Sequence, residues 1–403
     1  MELLRLATTG SVDDGKSTLI GRLLHDAKLL QEDAVEAVAA STARRGGEGL
    51  DLSLVTDGLR AEREQGITID VAYRYFATPR RAFIVADTPG HVQYTRNMVT
   101  GASTSDVAVL LVDARHGVRE QTRRHAAVAA LLGVHHLVLA VNKLDLVGWS
   151  AERFDEIADE VRAMATQLGV ADVHLVPISA LHGDNVVDPS INTPWYDGPP
   201  LLGLLETLPI PQPSLESPLR IPVQFVIRPR VGSGDRRWYA GALAGGEPTV
   251  GQEVVVLPSG RITTIAGVEG TGTAVRVQLA DELDVARGDL IADLDEQPRI
   301  VTALAATLCW FSDQPLRVGD RLLLKHTTRT VPARVEAIEH RLDVATLDHG
   351  GTDVLEMNDL GRVRLVTASP VVVDDYRSNR RTGSFILVDE RTNATVAAGL
   401  VED

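Results

Sequence analysis

The chain has 403 residues, 44% of them apolar and 24% charged, which fits a globular protein with room for two to four domains. Its 40 basic and 55 acidic side chains leave a formal charge of −15, which argues against a nucleic-acid binder that relies on overall charge, although a local basic patch stays open. No apolar run approaches the ~20 residues of a membrane helix, no signal-like stretch precedes the first strand, and a single cysteine, Cys309, excludes an internal disulfide. The expected setting is the cytoplasm, with Cys309 in "ALAATLCWF" as a buried apolar residue.

Residues 1 to about 208 alternate between two periodicities. "LLRLAT", "VAYRYF", "AFIVAD", "VAVLLVDA", "HLVLAVNK" and "HLVPIS" read as strands, and "STLIGRLLHDAKLL", "EQTRRHAAVAALLG" and "AERFDEIADEVRAMATQLG" as helices between them. That order predicts a mostly parallel sheet covered by helices. The second and third runs are separated only by "ATPRR", which predicts a hairpin with one antiparallel strand at the edge.

"LPIPQPSLESP" then reads as a semi-rigid linker. Beyond it helical periodicity nearly vanishes. "RIPVQFVI", "WYAGALAGG", "QEVVVLPSG", "RITTIAGVEG" and "AVRVQLAD" form one set of short strands, and a second set begins at "RIVTALAATLCWF". Many short strands with regular turns predict two small β-barrels meeting around residues 295 to 300. The expected division is an α/β P-loop domain over residues 1–212 and all-β barrels over 213–297 and 298–403.

Four motifs in the first domain carry chemistry. "GSVDDGKST", Gly10 to Thr18, fits the G-x-x-x-x-G-K-[ST] loop. There backbone N–H groups turn toward phosphate oxygens, Lys16 reaches the outer phosphates and the Ser17 hydroxyl can ligate Mg²⁺. The following helix adds the positive end of its dipole. Gly10, Asp13, Asp14, Gly15, Lys16, Ser17 and Thr18 are the phosphate-site candidates, with Asp13 and Asp14 read as fixing the turn or accepting a cation. "DTPGH" follows a strand, so Asp87 is the second Mg²⁺ element and Gly90 can offer its amide to the last phosphate. "NKLD" places Asp145 to accept from two guanine N–H groups, a recognition that rejects adenine by roughly 10⁴. Asn142 and Lys143 would buttress the base and the phosphate loop, while Ser179 and Ala180 of "ISAL" could close over the guanine. Two of the four lysines, Lys16 and Lys143, fall inside these motifs in a chain that otherwise uses arginine. All four motifs stand at the C-terminal ends of predicted strands, where open α/β sheets bind ligands, and together they imply GTP.

With these motifs the chain resembles the translational-type GTPases. The resemblance makes Thr68 of "REQGITID" the threonine that meets Mg²⁺, so that Ser17 and Thr68 hold the ion with Asp87 behind a water. It makes His91 the residue that orients the attacking water, flanked by Val12 and Ile67. Thr68, His91 and Lys16 are thereby the catalytic candidates. Within that class the sequence is most similar to the GTPase subunit family of sulfate adenylyltransferase, and the likeness runs along the whole chain. "GSVDDGK" has Ser11 and Asp14 where elongation factor Tu and its relatives carry two histidines. "DTPGHVQYTRNMVTGAS" and the less specific "NTPWYDGPPLLGLLE" also fit, and the ending "DDYRSNRRTGSFILVDERTNATVAAG" discriminates best. The resemblance implies a smaller catalytic partner that binds ATP and sulfate and makes adenosine 5′-phosphosulfate and pyrophosphate, with GTP hydrolysis driving the uphill transfer. Some relatives add an adenylylsulfate kinase domain with its own phosphate loop; no second such loop is found, so that activity is not expected.

The alternative is an elongation-factor-like GTPase delivering aminoacyl-tRNA, and a stand-alone regulatory GTPase stands further back. His135 and His136 sit side by side before a strand, but with no cysteine or nearby third ligand they are not read as a metal pair. "RPRVGSGDRRW" is read as a solvated hairpin loop, and Trp195 and Trp238 as packing residues at domain joins.

Overall fold

A computed structural model of the chain describes residues 2–11, 13–28, 50–55, 70–90, 95–210, 217–228, 236–344 and 346–402, with single positions 33, 36, 38, 39 and 42. The chain divides into two compact units. One is Met1–Pro211 with Val344–Leu347, and the other is Gln212–Asp343 with Asp348–Asp403.

The first unit is built on a sheet of β1 (Leu3–Gly10), β2 (Ala72–Ala77), β3 (Ala82–Asp87), β4 (Val107–Asp113), β5 (His136–Asn142) and β6 (Val173–Pro177) in the order β2-β3-β1-β4-β5-β6. Every neighbouring pair is parallel except β2 and β3, so the predicted edge hairpin is present. Thr78 closes it: its N–H donates to the Arg81 carbonyl at 2.9 Å. Every residue of β4 and β5 is buried, as expected of parallel strands covered on both faces.

Two of the helices show why the apolar spacing reads as it does. α1 (Lys16–Asp26) buries Leu19, Ile20, Leu23 and Leu24 against the sheet. α2 (Thr95–Ala102) and α3 (Glu120–Leu131) follow β3 and β4. α4 (Ala151–Gln167) buries Phe154, Ile157, Ala158, Val161, Met164 and Ala165, one stripe at helical spacing. It starts where the Ser150 side chain accepts the Arg153 N–H at 3.1 Å, an N-cap. Chain order reverses around β1: β3 lies on one side and β4 on the other. Open α/β sheets place their ligand crevice at such a reversal.

The second unit holds two barrels. β7 (Arg220–Ile227), β8 (Trp238–Ala242), β9 (Glu253–Leu257), β10 (Arg261–Thr271), β11 (Ala274–Leu279) and β12 (Leu290–Asp293) close in the order β10-β11-β8-β7-β12-β9. The second is formed by β13 (Arg299–Trp310), β15 (Arg321–His326), β16 (Arg329–Leu342), β19 (Leu360–Val373), β20 (Ser384–Val388) and β21 (Thr395–Glu402). The short pairs β14 (Leu316–Arg317) with β18 (Val354–Leu355), and β17 (His349–Gly350) on β16, are appended to it. β15 pairs with both β20 and β16, which closes a ring of six. Along β16 buried Val331, Ala333 and Val335 alternate with exposed neighbours, the period-2 pattern of a strand with one wet face. Cys309 is buried in this barrel, as read from its setting.

The barrels of this unit share a small core of Val255, Leu257, Leu290, Ala292 and Val372. Beside it Arg220 forks onto Asp374, Nε to Oδ2 and Nη2 to Oδ1, both at 3.0 Å. The described contacts of Trp195 and Trp238 fall within single units, not at joins. Trp195 packs on Phe154 with centroids 5.3 Å apart, and Trp238 lies under the Arg276 guanidinium at 4.8 Å.

Candidate nucleotide-binding site

The loop after β1 is held in shape by its own backbone. The Asp14 N–H donates to the Ser11 carbonyl at 3.1 Å, and the Ser11 N–H donates to Asp14 Oδ2 at 2.7 Å. Asp13 lies at φ 70° and Gly15 at φ 93°, so the chain turns twice through left-handed conformations before α1 begins at Lys16. Gly15 is required on two grounds. The conformation disfavours a side chain, and a Cβ there would sit 2.5 Å from Asn142 Nδ2. Ser17 and Thr18 form the first turn of α1, whose free N–H groups face the loop. The Ser11 hydroxyl is buried with no hydrogen-bond partner among the described residues.

β3 delivers the next group. Asp87 ends the strand, is 2% exposed and forms an ion pair with the Lys16 ammonium. Thr88 anchors the chain beyond it, its hydroxyl donating to the Thr8 carbonyl at 2.8 Å. Gly90 then passes so close to the loop that a Cβ would meet the Gly10 carbonyl at 2.1 Å.

β5 supplies the third group and ties the others together. Asn142 Nδ2 donates to the Asp14 carbonyl at 2.7 Å, while its Oδ1 accepts the Ala180 N–H at 2.9 Å. Lys143, at φ 62°, donates its ammonium to the Asp13 carbonyl and pairs with Asp113 Oδ2 at 3.0 Å. Asp145 sits in the short 3₁₀ turn Leu144–Val147, with His182 Nε2 3.8 Å from its carboxylate. Ser179 is fully buried, and its hydroxyl accepts the His182 N–H at 3.4 Å.

The electrostatics differ between neighbouring carboxylates. Burial pushes the Asp14 carboxyl up to about 6, against the Ser11 N–H that favours its charged form. Burial also opposes ionisation of Asp113, but hydrogen bonds from Arg115 and Lys143 outweigh it and hold that carboxyl well below the usual range.

Two contributors went unread in the sequence. Arg22 on α1 donates Nε to the Ala180 carbonyl at 3.2 Å and Nη2 to the Leu181 carbonyl, fastening the "ISAL" turn to the helix of the phosphate loop. Asp113, at the end of β4, fixes Lys143. Its position at a strand end in "VAVLLVDA" was a usable signal; Arg22 is one arginine among many and gave none. Of the sequence-derived candidates, Gly10, Asp13, Asp14, Gly15, Lys16, Ser17, Thr18, Asp87, Gly90, Asn142, Lys143, Asp145, Ser179 and Ala180 come from loops at one edge of the sheet. Thr68, His91, Val12 and Ile67 lie outside the described residues.

Residues 1–223 match the family described as the elongation factor Tu GTP binding domain, and residues 303–402 match the GTP-eEF1A C-terminal domain-like family. Among solved structures, sup35 complexed with GDP aligns over 100% of this chain and 94% of its own, with 23% identity and a TM-score of 0.44. The bifunctional enzyme CysN/CysC of Mycobacterium tuberculosis is 57% identical over 411 residues, covering 99% of this chain and 67% of that protein. Sulfate adenylyltransferase subunit 1 of Teredinibacter turnerae is 49% identical over 410 residues, covering 99% of this chain and 87% of that protein. This chain belongs to the sulfate adenylyltransferase subunit 1 family. As in that family's elongation-factor-like frame, its N-terminal unit is a GTP-binding domain. No helix among the described residues of this subunit 1 family member is long and apolar enough to cross a membrane.

Proposed function

We propose that this chain is the GTP-hydrolysing regulatory subunit of a heteromeric, cytoplasmic sulfate adenylyltransferase. Its smaller catalytic partner converts ATP and sulfate to adenosine 5′-phosphosulfate and pyrophosphate, and hydrolysis of GTP to GDP and phosphate here drives that uphill transfer. The observation that carries the reading is the joining of the phosphate loop, "NKLD" and "ISAL" through the two hydrogen bonds of Asn142, in a chain of this family.

Each residue then has a task. Backbone N–H groups from Asp13 to Thr18, with Gly10 and Gly15 allowing the close approach, cradle the phosphates, and Lys16 neutralises their outer oxygens. Gly90 offers its amide to the terminal phosphate. Asp145 accepts the guanine N–H pair, Lys143 and Asn142 brace it, and Ser179 and Ala180 close the pocket. The oxygen donors of Ser17 and Asp87 suit a hard cation, and Asp87 stands at the buried mouth of the loop beside Lys16. When bound, Mg²⁺ supplies charge neutralisation across the outer phosphates. Ser17 and Thr68 would hold it directly and Asp87 through water, while His91 orients the attacking water.

The test is sulfate-dependent pyrophosphate release by this chain alone, by the smaller adenylyltransferase subunit alone and by both, each with GTP or a non-hydrolysable analogue. The expected result is activity only with the partner, stimulated by GTP over the analogue. Activity from this chain alone would overturn the division of labour. Equal rates with GTP and the analogue would overturn the coupling, and co-purification with tRNA in place of a protein would favour a translational role.

A further inference from the structure

The sheet edge opposite the nucleotide loops carries a second cluster. His136 begins β5 and is 5% exposed. β5 and β6 run parallel with Leu137 opposite Val173, so His136 and Asp172 stand at matching positions just as the two strands begin. His174 lies two residues beyond Asp172, and side chains two apart along a strand share a face. The sequence offered His136 no third ligand because Asp172 and His174 are distant in the chain. The pairing of β5 with β6 brings them together.

The protonation pattern singles the cluster out. His136 Nε2 is 2.6 Å from the Pro209 carbonyl oxygen, which can only accept, so that nitrogen carries the proton. Two acceptors cannot face each other at hydrogen-bond distance, so Nδ1 and the Asp172 carboxylate share a proton in the metal-free chain, and an incoming cation would displace that proton and take the Nδ1 lone pair. His174 Nε2 approaches the other oxygen of Asp172 at 2.8 Å, yet it is buried and makes no hydrogen bond among the described residues. Three potential ligand atoms thus converge, all within 4.8 Å of one another.

We propose that His136, Asp172 and His174 form a binding site for a divalent transition-metal ion of the zinc class. Two imidazole nitrogens and one carboxylate oxygen are the donor set such an ion takes. The Pro209 carbonyl plays the part that fixes a ligating histidine: it holds one ring N–H and aims the other nitrogen at the metal. Metal–ligand bonds of about 2.0–2.2 Å place tetrahedral donors roughly 3.4 Å apart, so the ligand atoms, which lie within 4.8 Å of one another and in one pair as close as 2.8 Å, rearrange to that spacing on binding. The Asp172 and His174 side chains, 44% and 30% exposed, have the freedom to make that movement. Their exposure also leaves the fourth position to water. The ion would clip the start of edge strand β6 to β5 and, through His136, to the chain at Pro209. This site is independent of the nucleotide loops and of the sulfate-activation reading.

The test is zinc titration of the full chain, stripped with a chelator, desalted and then loaded with GDP and excess Mg²⁺ to occupy the nucleotide site. Competition against a chromogenic zinc indicator reads stoichiometry and affinity. One equivalent of Zn²⁺ should bind the parent chain, and affinity should fall at least about tenfold in both Asp172→Asn and His174→Ala. His174→Ala keeps the His136 contacts to Asp172 and Pro209, so it reports on the metal separately from folding. Zinc should also raise the thermal midpoint of the parent and leave that of His174→Ala unmoved. Equal zinc binding by the parent and His174→Ala, or none by either, would overturn the site and leave the cluster as a structural contact between β5 and β6.

Discussion

Asn142 and Asp14 are 128 residues apart in the chain and are joined by one hydrogen bond, from the Asn142 side-chain amide to the Asp14 carbonyl at 2.7 Å. The same amide accepts the Ala180 N–H, so a residue that is 2% exposed sets the spacing of three loops. Asn142→Ala leaves a buried carbonyl and a buried N–H unpaired, a cost of about 1–3 kcal/mol for each group. Thermal unfolding should register that loss, and titration with a fluorescent GDP should show affinity reduced by about tenfold or more, since a 1.4 kcal/mol loss is already tenfold. Unchanged stability and affinity together would remove Asn142 from its bracing role.

Guanine selection is proposed to rest on Asp145. Asp145→Asn should weaken GTP binding by roughly a hundredfold or more, because an amide cannot accept both guanine N–H groups. The same variant should gain relative affinity for xanthosine triphosphate, whose altered edge suits an amide. Undiminished GTP affinity in a direct binding titration would refute the base assignment.

His91 is proposed to act on the attacking water. His91→Ala should slow GTP hydrolysis by about a hundredfold, the order expected of a positioning or acid–base group, with GTP affinity nearly intact. Single-turnover hydrolysis beside a binding titration separates the two effects. A variant that hydrolyses at the parent rate would exclude the residue.

Asp14 should make the protein's stability depend on pH in a definite direction. Its carboxyl is raised from 3.8 to about 6 in the fold, so between those values the folded chain holds more proton than the unfolded one. Its contribution is therefore most favourable below pH 4 and is lost as pH rises through about 6, by roughly 3 kcal/mol in total. Asp14→Asn keeps an oxygen to accept the Ser11 N–H and abolishes the titration. In nucleotide-free buffer, the thermal midpoint of the parent minus that of the variant should fall from pH 4 to pH 7. A flat difference would contradict this account.

Arg220 and Asp374 test the seam between the two barrels. Arg220 is 4% exposed, and truncating its partner strands a buried guanidinium. Asp374→Ala should cost about 3–5 kcal/mol in denaturant unfolding, far more than an exposed pair. Replacing both residues with apolar side chains of similar volume should recover much of the loss; failure to do so would point to the Thr382 hydroxyl, which also donates to Asp374, as the larger contributor.

Much of this molecule was legible in the order of its residues. Strand and helix periods are local properties, and the alternation before the linker and the β-rich runs after it were enough to specify the fold class. The phosphate loop could be read because its chemistry depends on residue types at fixed short spacing: glycines where the backbone must turn, then a lysine and a hydroxyl. Tertiary structure alone decided what spacing cannot encode, namely which strands lie side by side and in what register. Arg22 reaches the "ISAL" turn only because the fold brings α1 to the loop that follows β6, and Arg220 finds Asp374 across 154 residues only because two barrels close against each other. His136 shows the same limit most clearly. Its neighbours in sequence offer no third ligand, and the parallel pairing of β5 with β6 sets Asp172 and His174 against it.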